Sequence, residues 1–188
     1  MNKKFFLLIL SDILILSSFG LIAPIFAIFI RDNLIGGSIV AVGLATSVFL
    51  GVKSAVQLPL SRYVDKQKHK TGLLVLGTLL IVTVPFIYII AKNVYTIFIA
   101  QAVYGLGAAL AYPAWFSLFT LYMDKKHKGF EYTLWSVGVG IGTAISALLG
   151  AKIADFFGFK TLFFIVGFFA LMGFLLLIAL NKMEYKRK

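Results

Sequence analysis

The stretch FFLLILSDILILSSFGLIAPIFAIFI, residues 5–30, decides the fold class. It carries one charge, Asp12, and exceeds the roughly 20 apolar residues that a helix needs to cross a bilayer. A secretory leader has an apolar core of about 7–15 residues and a small-residue cleavage site. This run is longer and closes on Phe29-Ile30-Arg31-Asp32, so it reads as a retained first helix carrying Asp12 and Pro24.

Working outward, apolar runs of the same kind recur over residues 38–60, 72–91, 94–122, 132–154 and 161–180. Together with 5–30 they predict an all-α membrane protein, six transmembrane helices in a single bundle that fills residues 1–188. Composition agrees: of 188 residues 61% are hydrophobic and 13% charged, and the mean hydropathy is +0.98. An ordinary soluble domain is about half apolar and about a quarter charged. A soluble enzyme, a disordered tail and a repeat solenoid are excluded.

Six spans place both chain ends on one side. That side holds Lys3, Lys4, Arg62, Lys66, Lys68, Lys70, Lys125, Lys126, Lys128, Lys182, Lys186, Arg187 and Lys188. The other side holds only Arg31, Lys92, Lys152 and Lys160. The positive-inside rule then predicts cytoplasmic N- and C-termini in a cell (plasma or inner) membrane. Topology accounts for the net charge of +11, so no nucleic-acid partner is expected. There is no cysteine, and His69 and His127 sit in charged loops without a second ligand at zinc spacing. No metal or cofactor is expected, and no enzyme: a membrane serine protease needs a histidine base within its spans. The acids Asp12, Asp32, Asp65, Asp124, Glu131, Asp155 and Glu184 are scattered, whereas metal-dependent phosphotransfer wants them clustered.

Asp12 and Lys53 are the full charges well inside helices, each about 10 Å from the cytoplasmic end of its span at 1.5 Å per residue. Charges at that depth face a partner or a wet cavity. They read either as a titrating or substrate-contacting pair, or as an ion pair locking the first two helices, with snorkelling of Lys53 a third account. Gln57, four residues on, extends the polar stripe. Gln101 and Tyr104 in the fourth run serve an interhelical hydrogen bond or a solute contact, and Tyr112, Pro113 and Trp115 line a cavity or pack. Gly138, Gly142, Ser146 and Gly150 make a small-residue face on the fifth helix for close helix approach, compatible with a hinge or sliding role. The segment Ser61–Lys70 is expected to be a helix-to-helix turn, with Asp65 accepting backbone donors at a helix N-terminus.

These features resemble the major facilitator superfamily of transporters. Its loop between helices two and three follows G-x-x-x-D-[RK]-x-G-[RK]-[RK]. Here Ser61-Arg62-Tyr63-Val64-Asp65-Lys66-Gln67-Lys68-His69-Lys70 keeps the acid, the following base and the final base, while Ser61 and Lys68 replace the glycines. The fourth-helix pattern R-x-x-Q-G-x-G falls on Gln101–Gly107, with Gln101 for the arginine and Tyr104 for the glutamine. The fifth-helix pattern G-x-x-x-G-P-x-x-G-G falls on Gly142–Ala151, small throughout but without the proline. Gly158-Phe159-Lys160 and Gly20–Pro24 fall at the turn into the sixth helix and the end of the first.

The resemblance implies the amino-terminal half of such a transporter, half-size or truncated, moving a small solute by alternating access opposite a second six-helix bundle. That bundle is a copy of itself or a separately encoded half. It further implies that Asp12, Lys53, Gln57, Gln101, Tyr104 and Trp115 contact solute or protons, and that Ser61, Arg62, Asp65, Lys66 and Lys70 form a cytoplasmic latch. Efflux and uptake are both open. A scaffold subunit is the rival reading, favoured by a bundle packed dry around Asp12.

Overall fold

The computed structural model describes residues 3–67 and 69–185; Lys68 and the terminal Lys186-Arg187-Lys188, counted above among the basic residues, lie outside them. The chain is all-helical: α1 Lys3–Gly20, α2 Phe26–Asn33, α3 Ile39–Lys66, α4 Lys70–Ile90, α5 Val94–Tyr122 and α6 Lys128–Tyr185. Among the described residues, Ile39–Lys66, Lys70–Ile90, Val94–Tyr122 and Lys128–Glu184 are each long and apolar enough to cross a membrane.

The first apolar run is not the single helix expected. It breaks after Gly20 and resumes at Phe26. Pro24 has no N–H to give and its ring crowds the carbonyl four residues back, which is that of Gly20. The intervening turn tightens onto shorter bonds, Leu21 N to Ser18 O (3.2 Å) and Ile22 N to Phe19 O (3.1 Å). The second run departs in the opposite sense. Pro59 lies inside α3, which continues to Lys66, so most of the segment expected to be a turn is helix. The fifth and sixth runs form one element, α6, interrupted only at Gly158 (φ 81°, ψ 165°). That backbone is open to glycine without a side-chain penalty.

The two limbs of α6 run in opposite directions along α1. In the first limb, Gly142 meets Ser17 and Gly150 meets Leu21. In the second, Phe163 packs edge-on against Phe29 at 4.7 Å, Gly173 meets Ile15, and Glu184 lies 3.7 Å from Lys4. α4 and α5 are antiparallel and nearly in backbone contact: a Cβ at Gly77 would lie 2.7 Å from the Gly107 carbonyl, and one at Gly107 2.8 Å from that of Gly77. α3 runs along α5 with Gly105 against Phe49 and Lys53. It buries only Ala41, Ala45 and Val64 among its described residues, so it lies at the rim of the bundle.

Each end of the bundle is fastened differently. At one end the α2–α3 and α4–α5 links pair through Ile35 N to Lys92 O (3.0 Å) and Val94 N to Ile35 O (3.2 Å). Ser38 Oγ accepts from Ala41 N at 3.0 Å and Asn93 Oδ1 from Thr96 N at 3.1 Å, capping α3 and α5. Arg31 there is paired with Asp32 at 2.6 Å, which reduces an already small positive charge. At the other end the Glu184 carboxylate accepts from the hydroxyls of Thr71 and Tyr122 and faces Lys4. One acid thus joins the starts of α1 and α4 to the ends of α5 and α6. Glu184→Ala is expected to leave two largely buried hydroxyls without an acceptor and to destabilise the chain by about 2 kcal/mol. A thermal midpoint in detergent that matches the native one would contradict this.

The α5–α6 link at that end is self-contained. Glu131, itself buried, accepts from Asp124 N at 2.8 Å. Asp124 in turn accepts from Lys126 N (2.9 Å) and pairs with His127 Nδ1 (3.1 Å). The Lys126 amide, and after it His127, hold the Asp124 carboxyl below its usual range. A depressed pKa stabilises above the unfolded value and loses that contribution as pH falls through the folded one. Amide-exchange protection at Lys126 is therefore expected to be constant from pH 7 down to about 5 and to fall below about pH 4.

Candidate functional site

Asp12 sits on the stretch of α1 between the two limbs of α6. Its Oδ2 accepts a 2.7 Å hydrogen bond from Trp135 Nε1 on the first limb. Asp12 also lines a cavity of about 40 Å³ together with Ser11, Tyr104, Tyr112, Trp115 and Leu177. Its walls are aromatic. Trp115 stacks on Phe119 (4.6 Å, 19°) and lies 5.0 Å from Trp135. Tyr104 stacks on Phe19 (5.0 Å, 21°) and lies 4.6 Å from Phe49. Two serines of α1 are spent locally: Ser11 donates to Leu8 O and Ser18 to Ile15 O, both at 2.7 Å.

A second cavity, of about 200 Å³, adjoins the first across Tyr104 and is lined by Phe19, Ile22, Ala23, Phe26, Tyr88 and Gln101. Gln101 is buried but makes no hydrogen bond among the described residues. Of its two expected roles, the interhelical bond is not formed, although the tyrosines Tyr88 and Tyr104 line the same cavity. The break at Pro24 helps open this space, since Ile22 and Ala23 of the turn contribute two of its walls.

Lys53 does not pair with Asp12. Its Nζ lies over the Tyr112 ring, 4.4 Å from the centroid, with Phe49 at 5.9 Å. The reading of these two residues as an ion pair locking the first two helices is corrected by this arrangement. Depth along a helix sets height in the bundle but not direction around the helix. α3 packs on α5 rather than on α1, so Lys53 meets a face of Tyr112 while Asp12 meets Trp135. A lysine ammonium over an aromatic face gains about 0.5–2 kcal/mol, which meets part of the cost of holding it there. Gln57 is half-buried one turn along α3.

The loop motif is divided. Asp65 belongs to the last turn of α3 and is exposed, so it is at a helix C-terminus and not at the N-terminus expected of it. The cause is the continuation of α3 past Pro59. Arg62 and Lys66 are exposed beside it, and Ser61 bonds back to Leu58 O at 2.8 Å. Lys70 turns inward to Ser117 Oγ at 2.7 Å, fastening α4 to α5. The small residues of α6 lie along α1: Cβ atoms at Gly138 and Gly142 would run into Ile13 and Ser17, and one at Gly150 into the Leu21 backbone, while Ser146 packs at Gly20.

Two residues of the polar framework escaped the sequence reading, Trp135 and Glu184. An indole N–H inside an apolar segment needs an acceptor, and Asp12 is the acid inside the apolar runs. That pairing was open to inference.

The described residues thus form a bundle of membrane-length apolar helices with an acid held beside an interior cavity. The sequence pattern of the Major Facilitator Superfamily matches residues 8–188, and the chain belongs to that family. It is 27% identical over 173 residues to the multi-drug resistance efflux pump PmrA of Streptococcus pneumoniae, covering 90% of this chain and 43% of that protein. It is 22% identical to the uncharacterized MFS-type transporter MJ1560 of Methanocaldococcus jannaschii, covering 92% of this chain and 44% of that one. The chain thus spans less than half the length of these relatives. Among solved structures the fold matches the POT family transporter PepTSo, with a TM-score of 0.80 at 14% identity over 95% of this chain and 37% of that one. A POT peptide transporter in complex with alafosfalin matches with a TM-score of 0.81 at 16% identity, over 97% and 39%. The chain is a multi-pass membrane protein of a transporter family.

Proposed function

We propose that the chain is one half of a transporter that moves a small solute across the cell membrane by alternating access, with a second six-helix bundle completing the pathway. In this reading residues 1–188 form a single six-span bundle with both termini cytoplasmic. α1 with α2 makes the first span, and the two limbs of α6 make the fifth and sixth. The second bundle is a copy of this chain or a separately encoded half. Solute lies against Asp12, Tyr104, Tyr112 and Trp115 and extends towards Gln101. Asp65, with Arg62 and Lys66, latches onto the facing bundle at the cytoplasmic end.

The observation that carries the reading is the placement of Asp12. A charge inside a membrane helix is costly and persists where it meets a partner or a cavity that uses it. Asp12 meets both. A scaffold bundle packed dry would have no need of the acid. The exposed acid and bases at the end of α3 support the latch, since they carry charge without a partner among the described residues.

The test is native mass spectrometry of the chain in nanodiscs, followed by solute flux in proteoliposomes. A complex of two bundles with saturable flux is expected. A monomer in lipid that neither recruits a second bundle nor carries flux would overturn the proposal.

A further inference from the structure

The cavity that Gln101 lines differs from the one at Asp12 in holding no charge. None of its lining residues is an acid or a base. Asp12 lies seven residues before Phe19 on α1, about 10 Å back along the helix. What the cavity does hold is unused hydrogen-bonding capacity. Gln101 is 6% exposed and Tyr88 3%, and neither they nor Tyr104 make a hydrogen bond among the described residues. The polar atoms sealed from all surface without a partner are Ser17 Oγ, Trp115 Nε1 and Asn181 Oδ1. The Gln101 amide and the two tyrosine hydroxyls are not sealed in that way, so each keeps access to the cavity it lines. An unpaired amide in an apolar bundle is destabilising, and methionine would fill the same space without that cost.

The chemistry of these groups defines what satisfies them. A glutamine side chain offers donors and an acceptor side by side. Another amide answers both at once: its carbonyl accepts from the Gln101 nitrogen while its N–H donates to the Gln101 oxygen. The two hydroxyls are each able to give or take one bond more. A carboxylate offers acceptors only, and it brings a charge to walls that hold no cation, which is costlier than an unpaired amide. An ester is uncharged but meets only half of the pattern. Aromatic rings surround these polar groups, with Phe19 stacked on Tyr104 and Phe26 at 5.1 Å from Tyr88.

We infer that this cavity binds an uncharged amide, a carboxamide or lactam, joined to an aromatic or apolar body, and that Gln101 is the residue that selects it. The inference rests on the transport reading for the claim that the amide belongs to the transported solute, but binding itself does not require flux.

The test is equilibrium dialysis of radiolabelled benzamide, methyl benzoate and benzoate against the 188-residue chain in nanodiscs, with uptake by empty nanodiscs subtracted. Benzamide is expected to bind saturably, about tenfold tighter than methyl benzoate for the one bond lost. Benzoate is expected to show no saturable binding. Gln101→Met keeps the length of the side chain without its amide, and should bind benzamide and methyl benzoate alike. Its thermal midpoint should equal or exceed the native one, because no bond within the protein is lost. A lowered midpoint would make Gln101 a structural residue and overturn the inference. So would a benzamide preference that survives Gln101→Met. Equal affinities for the three probes, or no saturable binding of any, would overturn it on the native chain alone. Solute flux is scored separately. Amide preference without flux retires the transport reading and keeps the site, and flux without the preference does the reverse.

Discussion

Gly150→Ala is expected to destabilise the chain by about 3 kcal/mol or more, although alanine is the better helix former by about 1 kcal/mol. The added Cβ would overlap the Leu21 carbonyl oxygen and lie 2.6 and 2.7 Å from that residue's carbonyl carbon and Cα. All three are backbone atoms in the turn that Pro24 forces on the chain after α1. They have no rotamer to escape into, so the first limb of α6 must move away from α1 and lose contact along the seam. Gly142→Ala meets mainly the Ser17 hydroxyl, a side chain able to rotate, and should cost less. Gly140→Ala meets nothing within 4 Å and should be neutral or slightly stabilising through helix propensity alone. Thermal midpoints of the three variants in one detergent should fall in the order Gly140, Gly142, Gly150. A Gly150→Ala protein as stable as Gly140→Ala would mean that the seam between α1 and α6 is not packed as described. Membrane helices associate through such close approach, because lipid supplies no hydrophobic drive between them.

The seam shows what a sequence discloses and what it withholds. Small residues at intervals of four mark a face for close approach, and Gly138, Gly142, Ser146 and Gly150 were legible as such. Which helix they meet was not, because spacing along one helix says nothing about its neighbour. The helices as a class were legible from apolar runs, but their ends were not. Pro24 broke a run that hydropathy carried through, and Pro59 failed to end α3 because a proline inside a membrane helix need only find its freed carbonyl another partner. Asp12 and Lys53 drew notice because charge is costly in an apolar segment. Their partners were hidden because each lies in the rotation of one helix against another: Trp135 is 123 residues from Asp12 along the chain. Glu184 was hidden for a further reason. It looked like one more scattered acid near the chain end, and only the packing of four helix termini makes it a junction.

Asp12→Asn is expected to raise the stability of the chain and to lower its solute flux about 100-fold, and the opposite signs are the point of the experiment. Asparagine keeps the volume of the side chain and a carbonyl oxygen able to accept from Trp135 Nε1, now bonded at 2.7 Å. What it removes is the charge. Burying a carboxylate inside a membrane helix is penalised on insertion scales, by about 2.5–3.5 kcal/mol at the centre and less at the depth of Asp12, so its loss should relieve the bundle. Removing the charge from a desolvated ion contact costs about 2–5 kcal/mol in binding, and 2.8 kcal/mol is about 100-fold. Asp12→Ala separates the two effects from the other side. It also removes the charge, but it leaves the Trp135 N–H unpartnered, so flux should fall as far while stability drops by about 1–3 kcal/mol relative to Asp12→Asn. Thermal midpoints and proteoliposome flux measured on the same preparations decide the matter. If Asp12→Asn lost stability and flux together, Asp12 would be a structural tie between α1 and α6, and the cavity beside it would have no claim on a solute. If stability rose while flux collapsed, the protein would be holding a costly charge in its interior for the use of its ligand.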